Sequence, residues 1–115
     1  MYQSFYTETM EGGSLYARSA DRTAILNSIR LLKLAEEAGP NSKEAVEALL
    51  FLRRLWEFFL QQLADDDNQL PPKMRADLIS VGIGLLKEAD AISLGKSKNF
   101  AALREISQSI ADGLV

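Results

Sequence analysis

Residues 42–64 read SKEAVEALLFLRRLWEFFLQQLA, and their spacing is that of a helix with two apolar rows. Ala45, Leu49, Leu52, Trp56, Phe59 and Leu63 recur at three- and four-residue steps, the period of one helical face. Ala48, Phe51, Leu55 and Phe58 form a second row beside them. A polar stripe runs through Lys43, Glu47, Arg54, Glu57 and Gln61, and Leu50 interrupts it. A helix apolar over so much of its circumference lies at the centre of a bundle or meets a partner. Asn41, three residues before Glu44, reads as a capping-box variant at its start.

Outward from this helix, glycine and proline mark the breaks. Gly12-Gly13, Gly39-Pro40, the run from Asp65 to Pro72, and Gly95 divide the chain. The first helix is expected over residues 14–38, capped by Ser14, with Leu15, Ile25, Ile29, Leu32 and Ala35 as its stripe. Gly39 suits the left-handed residue after a helix, and Pro40 prevents continuation. A third helix is expected over residues 72–94, since proline is tolerated in a first turn. Its stripe is Met74, Leu78, Val81, Leu85, Ala89 and Ile92, widened by Ile79, Ile83 and Leu86. Gly82 and Gly84 interrupt it, each costing about 1 kcal/mol against alanine. They read either as tolerated weakness or as a place of close helix approach. A fourth helix is expected over residues 99–112, capped by Asn99, with Phe100, Leu103, Ile106 and Ile110 inward. Short connections favour antiparallel neighbours. The expected fold is therefore all-α, one domain over residues 1–115. It is a small antiparallel bundle of about four helices with an N-terminal aromatic arm, residues 1–13, carrying Tyr2, Phe5 and Tyr6.

The composition excludes much chemistry. The 115 residues include no cysteine and no histidine. Disulfides, thiolate nucleophiles, Cys/His zinc sites and histidine-based triads are therefore absent. Asp65-Asp66-Asp67-Asn68 is the one dense acidic run. It lacks the ligand spacing and glycine of a calcium loop and reads as a solvated turn. Gly12-Gly13 belongs to no phosphate-binding pattern. No enzyme activity, cofactor or metal is expected. The net charge is -3, with no basic pole in either half, which argues against direct RNA or DNA contact. No uncharged apolar stretch approaches the roughly 20 residues of a membrane span. The N-terminal residues lack signal-peptide blocks, so a cytoplasmic protein is expected.

Arg53-Arg54-Leu55-Trp56 is the most distinctive block. It reads either as a core tryptophan flanked by arginines along the core edge or as a partner surface rich in binding hot spots. Candidate partner-binding residues are Leu50, Arg53 and Arg54 on this helix, with Asn68, Leu70, Pro71 and Arg75 around the following turn. Asn68 and Pro71 also read as turn-shaping, and Arg75 as a clamp on the Asp65–Asp67 loop.

The ordered motifs resemble the FlaF family of alphaproteobacterial flagellar biosynthesis regulators. The resemblance runs from Met1-Tyr2-Gln3 through Ala38-Gly39-Pro40 and Arg53-Arg54-Leu55-Trp56 to Asn68 and Leu70-Pro71. It continues through Leu78-Ile79-Ser80, Glu88-Ala89, Asn99-Phe100 and Asp112-Gly113-Leu114. The family often has tryptophan at the position of Gly84. The resemblance implies a small, non-enzymatic, cytoplasmic regulator that binds flagellin, the regulator FlbT, or both, as a chaperone or adaptor of flagellum assembly. A post-transcriptional regulator touching flagellin messenger RNA directly is the alternative. The partner in direct contact and the oligomeric state are left open.

Overall fold

The structure is a computed structural model that describes the backbone of residues 11–114 and the side chains of residues 19–114. Among the described residues four helices follow one another: α1 (Glu11–Ala38), α2 (Lys43–Ala64), α3 (Pro72–Ser93) and α4 (Phe100–Gly113). The all-α bundle expected from the periodicities is thus observed, with no strand among the described residues. The aromatic arm, as far as residue 10, lies outside the described residues.

Local chemistry sets most of the boundaries. Gly39 takes φ +101° after α1, and its N–H donates to the Ala35 carbonyl at 2.8 Å. Gly95 takes φ +76° after α3, and Lys96 N–H reaches back to Ala91 O at 2.8 Å. Both are left-handed helix ends that a side chain would strain. Asn99 caps α4 by accepting from Ala102 N–H at 3.1 Å. Pro72 opens α3, where the missing N–H costs no intrahelical bond.

Two starts differ from the sequence reading. Ser42, not Asn41, caps α2: its Oγ accepts from Ala45 N–H at 3.0 Å and donates to Gly39 O at 2.6 Å. The extended backbone of Ser42 puts its hydroxyl over the first turn, and the second bond ties the cap to the preceding glycine. The chain is already helical at Glu11, so Gly12-Gly13 lies within α1 and Ser14 does not start the helix. Glycine costs about 1 kcal/mol against alanine within a helix, so the pair weakens α1 without ending it.

The helices run alternately up and down. Arg22 Nε donates to Ala111 O at 3.2 Å, and Arg104 pairs with Glu36 at 2.7 Å, so α4 lies antiparallel along α1. An Arg53–Asp90 ion pair and a bond from Arg75 to Leu63 O lay α3 antiparallel along α2. The core runs through all four helices, with Ile25, Leu32, Leu52, Trp56, Leu85 and Leu103 at 2% exposure or less. Truncating any of these leucines to alanine costs about 2–5 kcal/mol. The entire first row of α2 is buried, as its spacing predicts.

Three expected core positions lie elsewhere. Met74 is 50% exposed and Ile106 is 40% exposed. On α4 the buried face is Phe100, Leu103, Ser107 and Ala111, because small residues let α4 sit close against α1. The isoleucines are turned aside by that packing. Ile83, at 45%, points away from the core instead of widening the α3 stripe. In the second row of α2, Phe51 and Leu55 are half-buried and Phe58 is exposed.

The Gly82–Gly84 pair divides between its two readings. A Cβ at Gly82 would lie 2.6 Å from Trp56 Cε3 and 3.0 Å from Leu60 Cδ2. Gly82 is therefore where α3 closes on the tryptophan. Gly84 faces open space.

Candidate partner-binding groove

α1 packs along both α2 and α4, and α2 packs along α3. Of the four neighbouring pairs, α3 and α4 touch least, so the fourth side of the bundle is the most open. The opening is an apolar groove of about 420 Å³. Ile25, Trp56, Phe59 and Leu63 form its floor; Met74, Leu78 and Val81 form one wall, and Ile106, Ile110 and Leu114 the other. A second hollow of about 280 Å³ continues along the same seam past Gly84, Glu88 and Ala102. Val81 and Ile106 border both hollows, so the two adjoin along the seam. The edge-on packing of Trp56 and Phe59, with ring centroids 5.2 Å apart, gives the deeper hollow a rigid aromatic floor.

One charged group lines each hollow, and both are acidic. Asp21 of α1 borders the larger one, where its Oδ2 is buried without a hydrogen-bond partner among the described residues. Burial, which strips water from the carboxylate, pushes its pKa up to about 6. Glu88 borders the smaller one and accepts a hydrogen bond from Ser97 Oγ. Among the described residues no lysine or arginine lines either hollow.

The residues expected to bind a partner fall into two groups, and none lines this groove. Leu50 and Arg54 are exposed on the outer face of α2, and Leu50 is 42% exposed. Arg53 is half-buried and engaged by Asp90. The block therefore holds a buried tryptophan, an arginine tying α2 to α3, and an arginine in solvent. The turn residues build the α2–α3 corner. Asn68 is buried; its Nδ2 donates to Gln62 O at 3.0 Å and its Oδ1 accepts from Leu70 N–H at 3.0 Å. Leu70 packs with Leu63 in a small cluster edged by Leu60, Leu78 and Ile79. Pro71 is the N-cap residue of α3. Arg75 donates to Leu63 O and, at 3.0 Å, to Asp65 O, closing the carbonyl end of α2. That is the loop-clamp role read for it. The three aspartates are solvent-exposed, with Asp65 Oδ1 accepting from Asp67 N–H.

The groove residues Met74, Val81 and Ile106 escaped the sequence reading as a site because it assigned them to the core. Their signal was a surplus: α3 carries more apolar residues than packing on α2 alone consumes.

Among the described residues, no group of three or more acidic side chains is placed to hold a metal ion, and no helix is long and apolar enough to cross a membrane. No curated protein and no solved structure matches the chain. The sequence matches the family model described as flagellar protein FlaF over residues 2–114, nearly its whole length. This four-helix bundle with an open α3–α4 side belongs to the FlaF family of flagellar proteins.

Proposed function

We propose that this protein is a cytoplasmic, non-enzymatic adaptor of flagellin biosynthesis that binds flagellin, with FlbT as a further partner, and that the α3–α4 groove receives a helix of flagellin. The observation that carries this reading is an open, aromatic-floored apolar cleft on a protein of the flagellar FlaF family. Amphipathic helices dock into such grooves by their apolar face. A helix left uncovered before assembly exposes that face and risks premature association, and a groove of this kind covers it. Direct contact with flagellin messenger RNA has less support. Arg53 is held by Asp90, the groove is edged by carboxylates, and the net charge is negative.

Calorimetry of the full chain with flagellin, and separately with FlbT, tests the proposal. The expected result is flagellin binding at micromolar Kd or tighter, weakened at least about tenfold by Ile106→Asp, which places a charge on the groove wall. Absence of binding to either protein at micromolar concentration overturns it.

A further inference from the structure

The larger hollow lies at one end of the bundle. Its lining takes Leu63 from the end of α2, Met74 from the start of α3 and Leu114 from just past α4. Helix α1 alone continues beyond this end. From Asp21, on the rim, it runs back to Glu11, ten residues or about 15 Å of helix axis. The ten residues that precede Glu11 read MYQSFYTETM, with three aromatic rings, one acidic side chain and no basic one. Extended, ten residues reach up to about 33 Å. A return of about 15 Å to the level of Asp21 is under half of that reach, which leaves slack for Tyr2 and Phe5 to lie over the hollow. The charges agree with such a return. Burial raises the pKa of Asp21, and the chain's own N-terminal amine draws it back down. Attraction between solvent-screened charges fades beyond about 8–10 Å. Residues 1–10 carrying α1 straight on would hold the amine about 30 Å away.

We propose that residues 1–6 of the same chain fold back from α1 into the larger hollow, with Tyr2 and Phe5 over the floor of Trp56 and Phe59, and that this segment must leave before a partner helix enters. Aromatic rings bury a large area and pack edge-on against one another, which suits them to that floor. A tethered segment also meets the hollow at an effective concentration of about a millimolar, without a separate partner. The gating rests on the helix-in-groove reading above; the self-docking does not. Its consequence is an apparent affinity for partners lowered by the fraction of chains whose hollow stands open.

The chain has no cysteine, so an introduced pair reports on the segment alone. Ser4→Cys is combined with Ser109→Cys, an exposed position on the lining of the hollow. Separately it is combined with Val46→Cys, an exposed position about 25 Å along α2 from Leu63. Disulfide formation under a mild oxidant requires the two Cα atoms to come within about 7 Å. In the full chain the pair with Ser109 is expected to close intramolecularly at least about tenfold faster than the pair with Val46. Adding Tyr2→Ser and Phe5→Ser, with helicity checked by circular dichroism, is expected to remove most of that advantage. Equal rates for the two pairs, an advantage untouched by the serines, or disulfides formed only between two chains overturns self-docking and leaves the flagellin reading standing. The gating is read by calorimetry with flagellin. Tyr2→Ser with Phe5→Ser, in a chain otherwise unaltered, is expected to bind at least about tenfold tighter than the parent. Unchanged or weaker binding overturns the gating. Failure of flagellin to bind either chain removes the helix-in-groove reading and the gating with it, while the disulfide rates still decide the docking.

Discussion

Gly82 and Gly84 stand two residues apart on α3 and have opposite requirements. At Gly82 an added methyl meets the Trp56 ring, which Phe59 already holds edge-on, so the ring has little room to yield. Gly82→Ala is expected to lower stability by about 1–3 kcal/mol despite its better helix propensity. At Gly84 nothing lies within 4 Å, and Gly84→Ala is expected to raise stability by about 0.5–1 kcal/mol. Urea unfolding of the two variants checks both signs. From the sequence, the glycine pair had two readings and each glycine fits one of them. Only the position of Trp56 across the helix interface separates them.

Asp21 supplies a pH dependence. Its carboxyl titrates near the ordinary 3.8 when unfolded and near 6 when folded. Between these values the folded chain keeps a proton that the unfolded chain has lost, so this group makes stability fall as pH rises through the window. Above about pH 6 the penalty is constant. Asp21→Asn is therefore expected to be more stable than the parent at pH 7, by about 1 kcal/mol after allowance for solvent screening. The difference should vanish towards pH 4. Thermal melts at pH 4 and pH 7 measure it, and an equal difference at both would contradict desolvation of the carboxylate as its cause.

At the scale of elements, the α2–α3 corner shows how a polar residue can organise an apolar turn. Asn68 bridges Gln62 O and Leu70 N–H, and Leu70 then closes on Leu63. Asn68→Ala leaves the buried Leu70 N–H without this acceptor and should cost about 1–3 kcal/mol. Denaturant unfolding would report it, while flagellin binding should persist, because the corner residue does not line the groove. The buried face of helix α2 was legible because it is fixed by six large or small apolar residues in strict helical steps, whereas its cap was not. Helix α4 was legible only in extent. Its two isoleucines look like core by size, yet α1 admits Ser107 and Ala111, and residue size alone does not reveal how closely two helices approach. Met74 was misread for the complementary reason: it has helical spacing, but no α4 side chain closes over it.

For the whole molecule, the decisive feature is a contact that is thin. Three sides of the bundle are sealed, by α1 against α2, α1 against α4, and α2 against α3, and the fourth is open over Trp56 and Phe59. Periodicity predicts which face of a helix is apolar, not whether two such faces meet, so the bundle was readable and its opening was not. Of the candidate residues chosen from distinctive motifs, Arg53, Asn68, Leu70, Pro71 and Arg75 make contacts that join α2 to α3 or shape the corner between them. Leu50 and Arg54 form a separate outer face that offers the clearest contrast with the groove. Hydrogen exchange of the full chain with and without flagellin distinguishes the two surfaces most directly. A flagellin helix seated in the groove should add protection along α3 from Met74 to Glu88 and along α4 from Ala102 to Leu114. Protection confined to α2 around Leu50 and Arg54, with α3 and α4 unchanged, would contradict docking in the groove.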